Sequence, residues 1–324
     1  MRLASVLHVG ERRAAVIEGD SAFVTSIPGL GAALTYGSDL RHAHGEWVPL
    51  GQLVLDAPIR PPVVFCIGQN YQDHIEEKQL AATADTSPST YPYPSTYPYP
   101  EFFLKAGQTI ARPSDPVVSD PAVTTKLDYE TELGVILGRK AHRINASDAL
   151  DHVHSYVVTN EMGARDRQLF RNARGGLDLK LGPGKNFDGA MRIGATILTA
   201  DQVSNPADLE LATHVNGVLR QKANTADLIF GVADIIAYLP SLMTLEPGTL
   251  IVTGAPGGTA WASDVEAGGT GRIPDGCHPG GYLTAGDRLE SRISEIGNLC
   301  FDVVDAFGAP TGRTPAHPVH HGPH

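Results

Sequence analysis

Three carboxylates, one His-Glu pair and a set of nitrogen-bearing side chains stand at spacings that can do chemistry. Glu130-Thr131-Glu132 falls in the run from Leu127 to Leu137, whose period-2 pattern reads as a strand. Alternation sends both carboxylates to one face, and Tyr129, Thr131, Leu133, Val135 and Leu137 to the other. The stretch from Asn160 to Gln168 follows a second apolar run. Read as a helix, it projects Glu161, Arg165 and Gln168 from one side. His74 and Glu77 are three residues apart, so on a helical turn the carboxylate can orient the imidazole and raise its basicity, as a general base acting on water requires. Each feature has an ordinary reading as well: alternating Glu on a solvent face, a solvated i,i+4 pair, a surface His-x-x-Glu. Together they change the weighting. Three carboxylates are hard oxygen ligands suited to Mg²⁺, Mn²⁺ or Ca²⁺. The Arg165 guanidinium suits a substrate carboxylate, and the Lys185 ammonium suits a developing oxyanion.

The elements that must position these groups are β-rich. Residues 1 to about 58 alternate apolar and polar groups between Gly-Asp and Pro-Gly breaks, which predicts a small β-rich lead-in region closed by Pro58 to Pro62. Val63 to Gly68 reads as a buried strand leading to the His74 segment. Ser-Thr-Tyr-Pro-Tyr-Pro occurs twice, at 89–94 and 95–100; its prolines forbid helix, and the stretch is either a surface insertion or a lid over the site. Asn216-Gly217, flanked by alternating residues, predicts a type I′ hairpin. Asp227 to Met243 has mixed helical periodicity limited by Pro240, and strands dominate from Leu250 onward around a Gly-rich excursion, 257–281. Thr311 to His324 is a Pro- and His-rich tail expected to be disordered. The fold class is α+β, with β in the majority.

Composition narrows the partners. The 324-residue chain is long enough for a substantial core. With 36 acidic and 25 basic residues, a net charge of −11 disfavours nucleic acid or an anionic membrane and favours a small molecule. Cys66, Cys277 and Cys300 are too scattered for a disulfide framework or a zinc motif, and fit a reducing cytoplasm. Charges at Glu11, Arg12 and Arg13 interrupt the first apolar run before a signal peptide could form, and no apolar stretch reaches transmembrane length.

The ordered series Asn70-Tyr71 with His74 and Glu77, Lys105, Asp128 to Leu133, Asn160 to Gln168, Lys185 to Asp188, Asn216-Gly217 and Thr253-Gly254-Ala255-Pro256 resembles the fumarylacetoacetate hydrolase family from about Pro62 to Asp305. The resemblance implies a mixed β-roll at 59–310, usually as a homodimer. It implies a metal triad of Glu130, Glu132 and Glu161 for Mg²⁺ or Mn²⁺, with Ca²⁺ also able to fit, and a catalytic dyad of His74 and Glu77. Lys185, Arg165, Gln168 and Thr253 would line the pocket. Three departures stand out: Glu161 where the family has Asp, Ala255 where it has a second Thr, and a longer stretch before Gly286-Asp287, expected to reshape the pocket entrance or the dimer contact.

The expected activity is metal-dependent cleavage of a carbon–carbon bond in an acylpyruvate-type β-dicarbonyl acid, a 2-oxo or 2,4-dioxo acid, with His74 and Glu77 activating water and Lys185 or Gln168 holding the oxyanion. The alternatives are a decarboxylase or isomerase using the same enolate, or a ligand-binding paralogue without turnover.

Overall fold

A computed structural model describes residues 1–78, 98–171 and 177–306. The first Ser-Thr-Tyr-Pro-Tyr-Pro repeat, the first half of the second and the 311–324 tail lie outside these residues. In chain order come β1 (Arg2–His8), β2 (Glu11–Glu18), β3 (Ser21–Thr25), α1 (Leu30–Tyr36), β4 (Gly45–Pro49), β5 (Val54–Asp56), β6 (Val63–Gly68), α2 (Gln72–Glu76) and β7 (Glu101–Ala106). They are followed by β8 (Val117–Ser119), β9 (Leu127–Asp128), β10 (Thr131–Leu137), β11 (Val153–Glu161), β12 (Gly163–Ala164), β13 (Leu169–Arg171), β14 (Leu177–Leu179) and α3 (Leu181–Lys185). The chain continues with β15 (Met191–Ile193), β16 (Thr196–Thr199), β17 (Glu210–Val215), β18 (Val218–Asn224), α4 (Val232–Leu242), β19 (Leu250–Val252), β20 (Arg288–Ile293) and β21 (Gly297–Asp305).

Among the described residues, a 12-stranded mixed sheet runs β4-β3-β2-β1-β16-β11-β10-β19-β6-β7, with β5 on β1 and β15 on β11. A five-stranded sheet, β18-β17-β20-β21-β8, packs against its centre through β10 and β11. The architecture is α+β with β in the majority. Every residue of β10 is buried, because one face meets the second sheet and the other meets the core under the N-terminal strands. That is why its sequence reads as an almost continuous apolar run. The N-terminal strands extend the same sheet: Leu3 pairs with Ile197 across β1 and β16. Leu3 and Leu30 share one buried cluster with Val64, Val157 and Val252. At Asn216 and Gly217, φ is 53° and 77°, as a type I′ turn demands, and β17 pairs with β18 around them. Pro240 lies in the last turn of α4.

Two expectations need correction. The stretch 127–137 is not one strand: it breaks at Tyr129-Glu130. There Asp128 Oδ1 accepts the Tyr129 N–H (2.8 Å) and Asn160 Oδ1 accepts the Glu130 N–H (3.1 Å), so side chains replace the ladder. The segment Asn160–Gln168 is not a helix. Strand β11 runs on to Glu161, and β12 pairs with β9 before a single 3₁₀ turn at Arg165–Arg167. The β-branched run Val157-Val158-Thr159 and its full pairing with β10 override the helical spacing.

Candidate active site

The break between β9 and β10 brings Glu130 and Glu132 beside Glu161, which ends β11. Ligand-capable oxygens of all three lie within 4.8 Å of one another, and all three residues are buried. Convergence therefore comes from adjacent antiparallel strands, with Thr131 opposite Asn160, and not from a helix face. Cations surround the cluster. Lys185 Nζ, at the end of α3, donates to Glu130 Oε2 and to Glu161 Oε2, the latter at 2.6 Å. Lys105, on β7, donates to Glu161 Oε1 and to the Met162 carbonyl. Arg165 donates through Nη2 to Glu130, through Nε to Asp128 (2.8 Å) and through Nη1 to Gln168 Oε1 (2.9 Å). Arg165 thus pairs with Asp128 and Glu130, and its i,i+4 neighbour Glu161 pairs with the two lysines.

Burial raises the Glu130 carboxyl, but Arg165, Lys185 and His74 outweigh it and hold it well below the usual range. Glu132 goes the other way. Burial, then the charges of Glu161 and Glu130, push it well up, and its side chain accepts only the Gly254 N–H (2.7 Å) among the described residues. Burial lowers Lys185 too, yet Glu130 and Glu161 carry it above its ordinary value.

The His-Glu pair sits on α2 and the residue that caps it. His74 Nδ1 lies 2.6 Å from Glu77 Oε1. Glu77 also accepts from the Gly258 N–H (2.6 Å), the Thr259 N–H (3.2 Å) and the Thr259 hydroxyl (2.7 Å). A carboxylate saturated with donors must accept from the imidazole as well, which places the ring proton on Nδ1 and the lone pair on Nε2. That Nε2 lies 3.7 Å from Glu130 Oε1, so the dyad faces the acidic cluster. Gly258, at φ +92°, can approach because a Cβ there would stand 2.1 Å from the Arg220 carbonyl oxygen. The start of the Gly-rich excursion therefore forms the floor of the dyad. Asp128 anchors the next residues, accepting the Ala260 N–H (2.8 Å) and the Trp261 N–H (3.0 Å).

Thr253-Gly254-Ala255-Pro256 leaves β19 beside this floor. The buried Thr253 hydroxyl and the Gln168 Nε2 have no partner among the described residues, two donors of the kind a bound ligand satisfies. Sequence reasoning missed Lys78, whose Nζ lies 2.8 Å from His74 Nε2 and 4.9 Å from the centroid of the Trp261 ring. It carries no motif, and only the helical i,i+4 spacing from His74 could have pointed to it. Asp128 and Trp261 were missed as the framework that orients Arg165, although the guanidinium also stacks 4.8 Å from that indole.

The donor set fits a hard divalent cation: three clustered carboxylates, of which Glu132 carries no ion-pair partner among the described residues and is driven to hold a proton in the absence of a cation.

The sequence pattern described as fumarylacetoacetate (FAA) hydrolase C-terminal matches residues 63–304. Oxaloacetate tautomerase YisK of Bacillus subtilis (strain 168) is 33% identical over 252 residues, 77% of this chain and 73% of the relative. The human mitochondrial oxaloacetate tautomerase FAHD2A is 33% identical over 258 residues, 79% of this chain and 71% of the relative. Maleylpyruvate hydrolase from Sphingobium sp. SYK-6, solved with manganese(II) and pyruvate, superposes with a TM-score of 0.69 at 27% identity, covering 94% of this chain and 99% of that one. With a match spanning most of the chain and relatives of this kind, the protein belongs to the fumarylacetoacetate hydrolase family.

Proposed function

We propose that the protein is a metal-dependent enzyme that interconverts the keto and enol forms of a 2-oxo acid of the oxaloacetate type. The observation that carries this reading is the His74–Glu77 dyad, whose Nε2 bears the lone pair and lies 3.7 Å from Glu130 in the acidic cluster. Glu130, Glu132 and Glu161 would hold Mn²⁺ or Mg²⁺, which supplies positive charge that acidifies the C–H bond beside a carbonyl. His74 Nε2 takes the proton from that carbon and returns it to the oxygen or the carbon, and Glu77 stabilises the imidazolium formed in between. Lys185 offsets negative charge gathering on the carbonyl oxygen, and the unpartnered Gln168 Nε2 and Thr253 hydroxyl are available to the substrate carboxylate. Arg165 orients Gln168 and Glu130 and reaches the substrate through them. The names of the tautomerase relatives support the substrate class.

Hydrolytic carbon–carbon cleavage of an acylpyruvate is the second reading. It uses the same dyad to activate water, and the manganese and pyruvate bound to the structural neighbour favour it. The two oxaloacetate tautomerase relatives, at 33% identity against 27% for the maleylpyruvate hydrolase, rank proton transfer at carbon first. Three free cysteines support work in the reducing cytoplasm, and the family resemblance supports a homodimer, which light scattering checks. No helix among the described residues is long and apolar enough to cross a membrane.

Stopped-flow absorbance of enol oxaloacetate tests both readings. Mn²⁺-loaded protein is expected to accelerate ketonisation and to cleave acylpyruvates slowly or not at all. Efficient acylpyruvate cleavage without tautomerase activity would make the second reading the correct one.

A further inference from the structure

Four cationic side chains are buried around the acidic cluster: Lys78, Lys105, Arg165 and Lys185. Three have carboxylate partners: Lys105 with Glu161, Arg165 with Asp128 and Glu130, and Lys185 with Glu130 and Glu161. Lys78 differs. It is 7% exposed, and no carboxylate of the described residues lies within ion-pair distance of it. Its ammonium contacts the neutral Nε2 of His74 at 2.8 Å and the indole face of Trp261 at 4.9 Å. Its backbone is fixed by bridging Gly269 of the Gly-rich excursion, next to the Thr270 N–H that donates to the Glu77 carbonyl (2.9 Å). An imidazole and an indole compensate a buried ammonium only in part, so the charge retains strong attraction for an anion.

His74 Nε2 lies 2.8 Å from Lys78 Nζ and 3.7 Å from Glu130 Oε1. A ligand that touches both the acidic cluster and Lys78 lies close to the base.

We propose that Lys78 anchors the second carboxylate of the substrate, so that the site selects 2-oxo dicarboxylates over analogues with an uncharged tail. The inference rests on the reading that a 2-oxo acid binds at the cluster, and it names the tail that acid carries. In oxaloacetate the carbon flanked by the carbonyl and the far carboxylate is the one that loses the proton, and an anchor at Lys78 sets this carbon beside Nε2. The anchor also frees the base. Without an anion Lys78 Nζ occupies the Nε2 lone pair; a carboxylate draws the ammonium away and leaves Nε2 open to accept the proton, which goes from carbon to Nε2 with no change in the charge of Lys78. Burial, together with the nearby Arg165, lowers the Lys78 ammonium to about 8, so the cation is the main form at neutral pH.

The test compares matched pairs with the same carbon skeleton, in which a carboxylate replaces a methyl group: oxaloacetate with 2-oxobutyrate, and 2-oxoglutarate with 2-oxopentanoate. Calorimetry on the Mn²⁺-loaded full chain should show wild type binding the diacid at least about tenfold tighter in one or both pairs. Lys78→Met keeps the stem against Trp261 and should lose that preference while binding the monoacids within about twofold of wild type. Lys78→Arg should keep most of it. Circular dichroism verifies that both variants fold. A wild type without preference, or a preference that survives in Lys78→Met, overturns the assignment while leaving the 2-oxo acid reading in place. If neither member of either pair binds, the 2-oxo acid reading falls and the assignment falls with it. A role confined to relaying protons would lower kcat on monoacids and diacids alike and leave the binding preference untouched.

Discussion

Glu132 is the carboxylate of the cluster with no cationic side chain on it among the described residues, and burial with its two acidic neighbours drives it to hold a proton. Its folded, cation-free value lies above that of the unfolded chain. The folded state therefore binds the extra proton, and this group's contribution to stability falls as pH rises from the ordinary carboxylate range through the raised value. Cation binding needs the ionised form, so it should release a proton and strengthen with pH over the same interval. Mn²⁺ titrations in buffers of different ionisation heat read that proton directly, and a buffer-independent heat would contradict the account. Glu132→Gln should raise the melting temperature of the cation-free protein and weaken Mn²⁺ binding by at least about tenfold. Glu161 reaches Lys105 with one oxygen and Lys185 with the other. In Glu161→Asp the shorter arm cannot hold both, so the ratio of Mn²⁺ to Mg²⁺ affinity should change; an unchanged ratio would place Glu161 outside the coordinating set. At this scale the acidic residues were legible because their types and order are distinctive. Lys78 was not, because its meaning depends on Trp261 and Gly269, nearly two hundred positions further along the chain.

The elements show why spacing alone misplaced one segment. Glu161, Arg165 and Gln168 have the intervals of a helix face, yet partner strands on both sides of β11 and the pairing of Gly163 with Asp128 hold the segment extended. Helical periodicity is a local signal, whereas sheet pairing is settled by distant residues. The Asn-Gly hairpin was readable for the opposite reason, since its requirement for positive φ is local. Gly217→Ala should therefore cost about 1 kcal/mol in chemical denaturation and leave catalysis unchanged, because the turn is exposed and remote from the dyad. Gly258→Ala is the contrasting case. Its Cβ would meet the Arg220 carbonyl oxygen and displace the N–H that holds Glu77, so activity should fall at least about tenfold even at temperatures where the variant stays folded. Equal behaviour of the two variants would show that the floor does not position the dyad.

Across the whole molecule, the N-terminal strands are part of the large sheet and share a core cluster with β6, β11 and β19. The sequence break at Pro58 to Pro62 marks a change of direction, and we infer that residues 1–58 and the catalytic region unfold together. Scanning calorimetry should show one transition, and two resolved transitions would establish a separate N-terminal unit. The same architecture sets the relation on which the function depends: the dyad comes from the segment after β6, the cluster from β10, the break before it and the end of β11, and the floor from the segment after β19, four strands of one sheet. The central claim is that His74 Nε2 moves a proton on a 2-oxo acid bound at the cation-loaded cluster. The most direct measurement is the rate of enol-to-keto conversion of oxaloacetate by the Mn²⁺-loaded protein, by His74→Ala, and by wild type with a chelator. The account predicts rapid conversion by wild type and a loss of at least about 100-fold in each of the other two. Conversion that survives both the substitution and the chelator would contradict it.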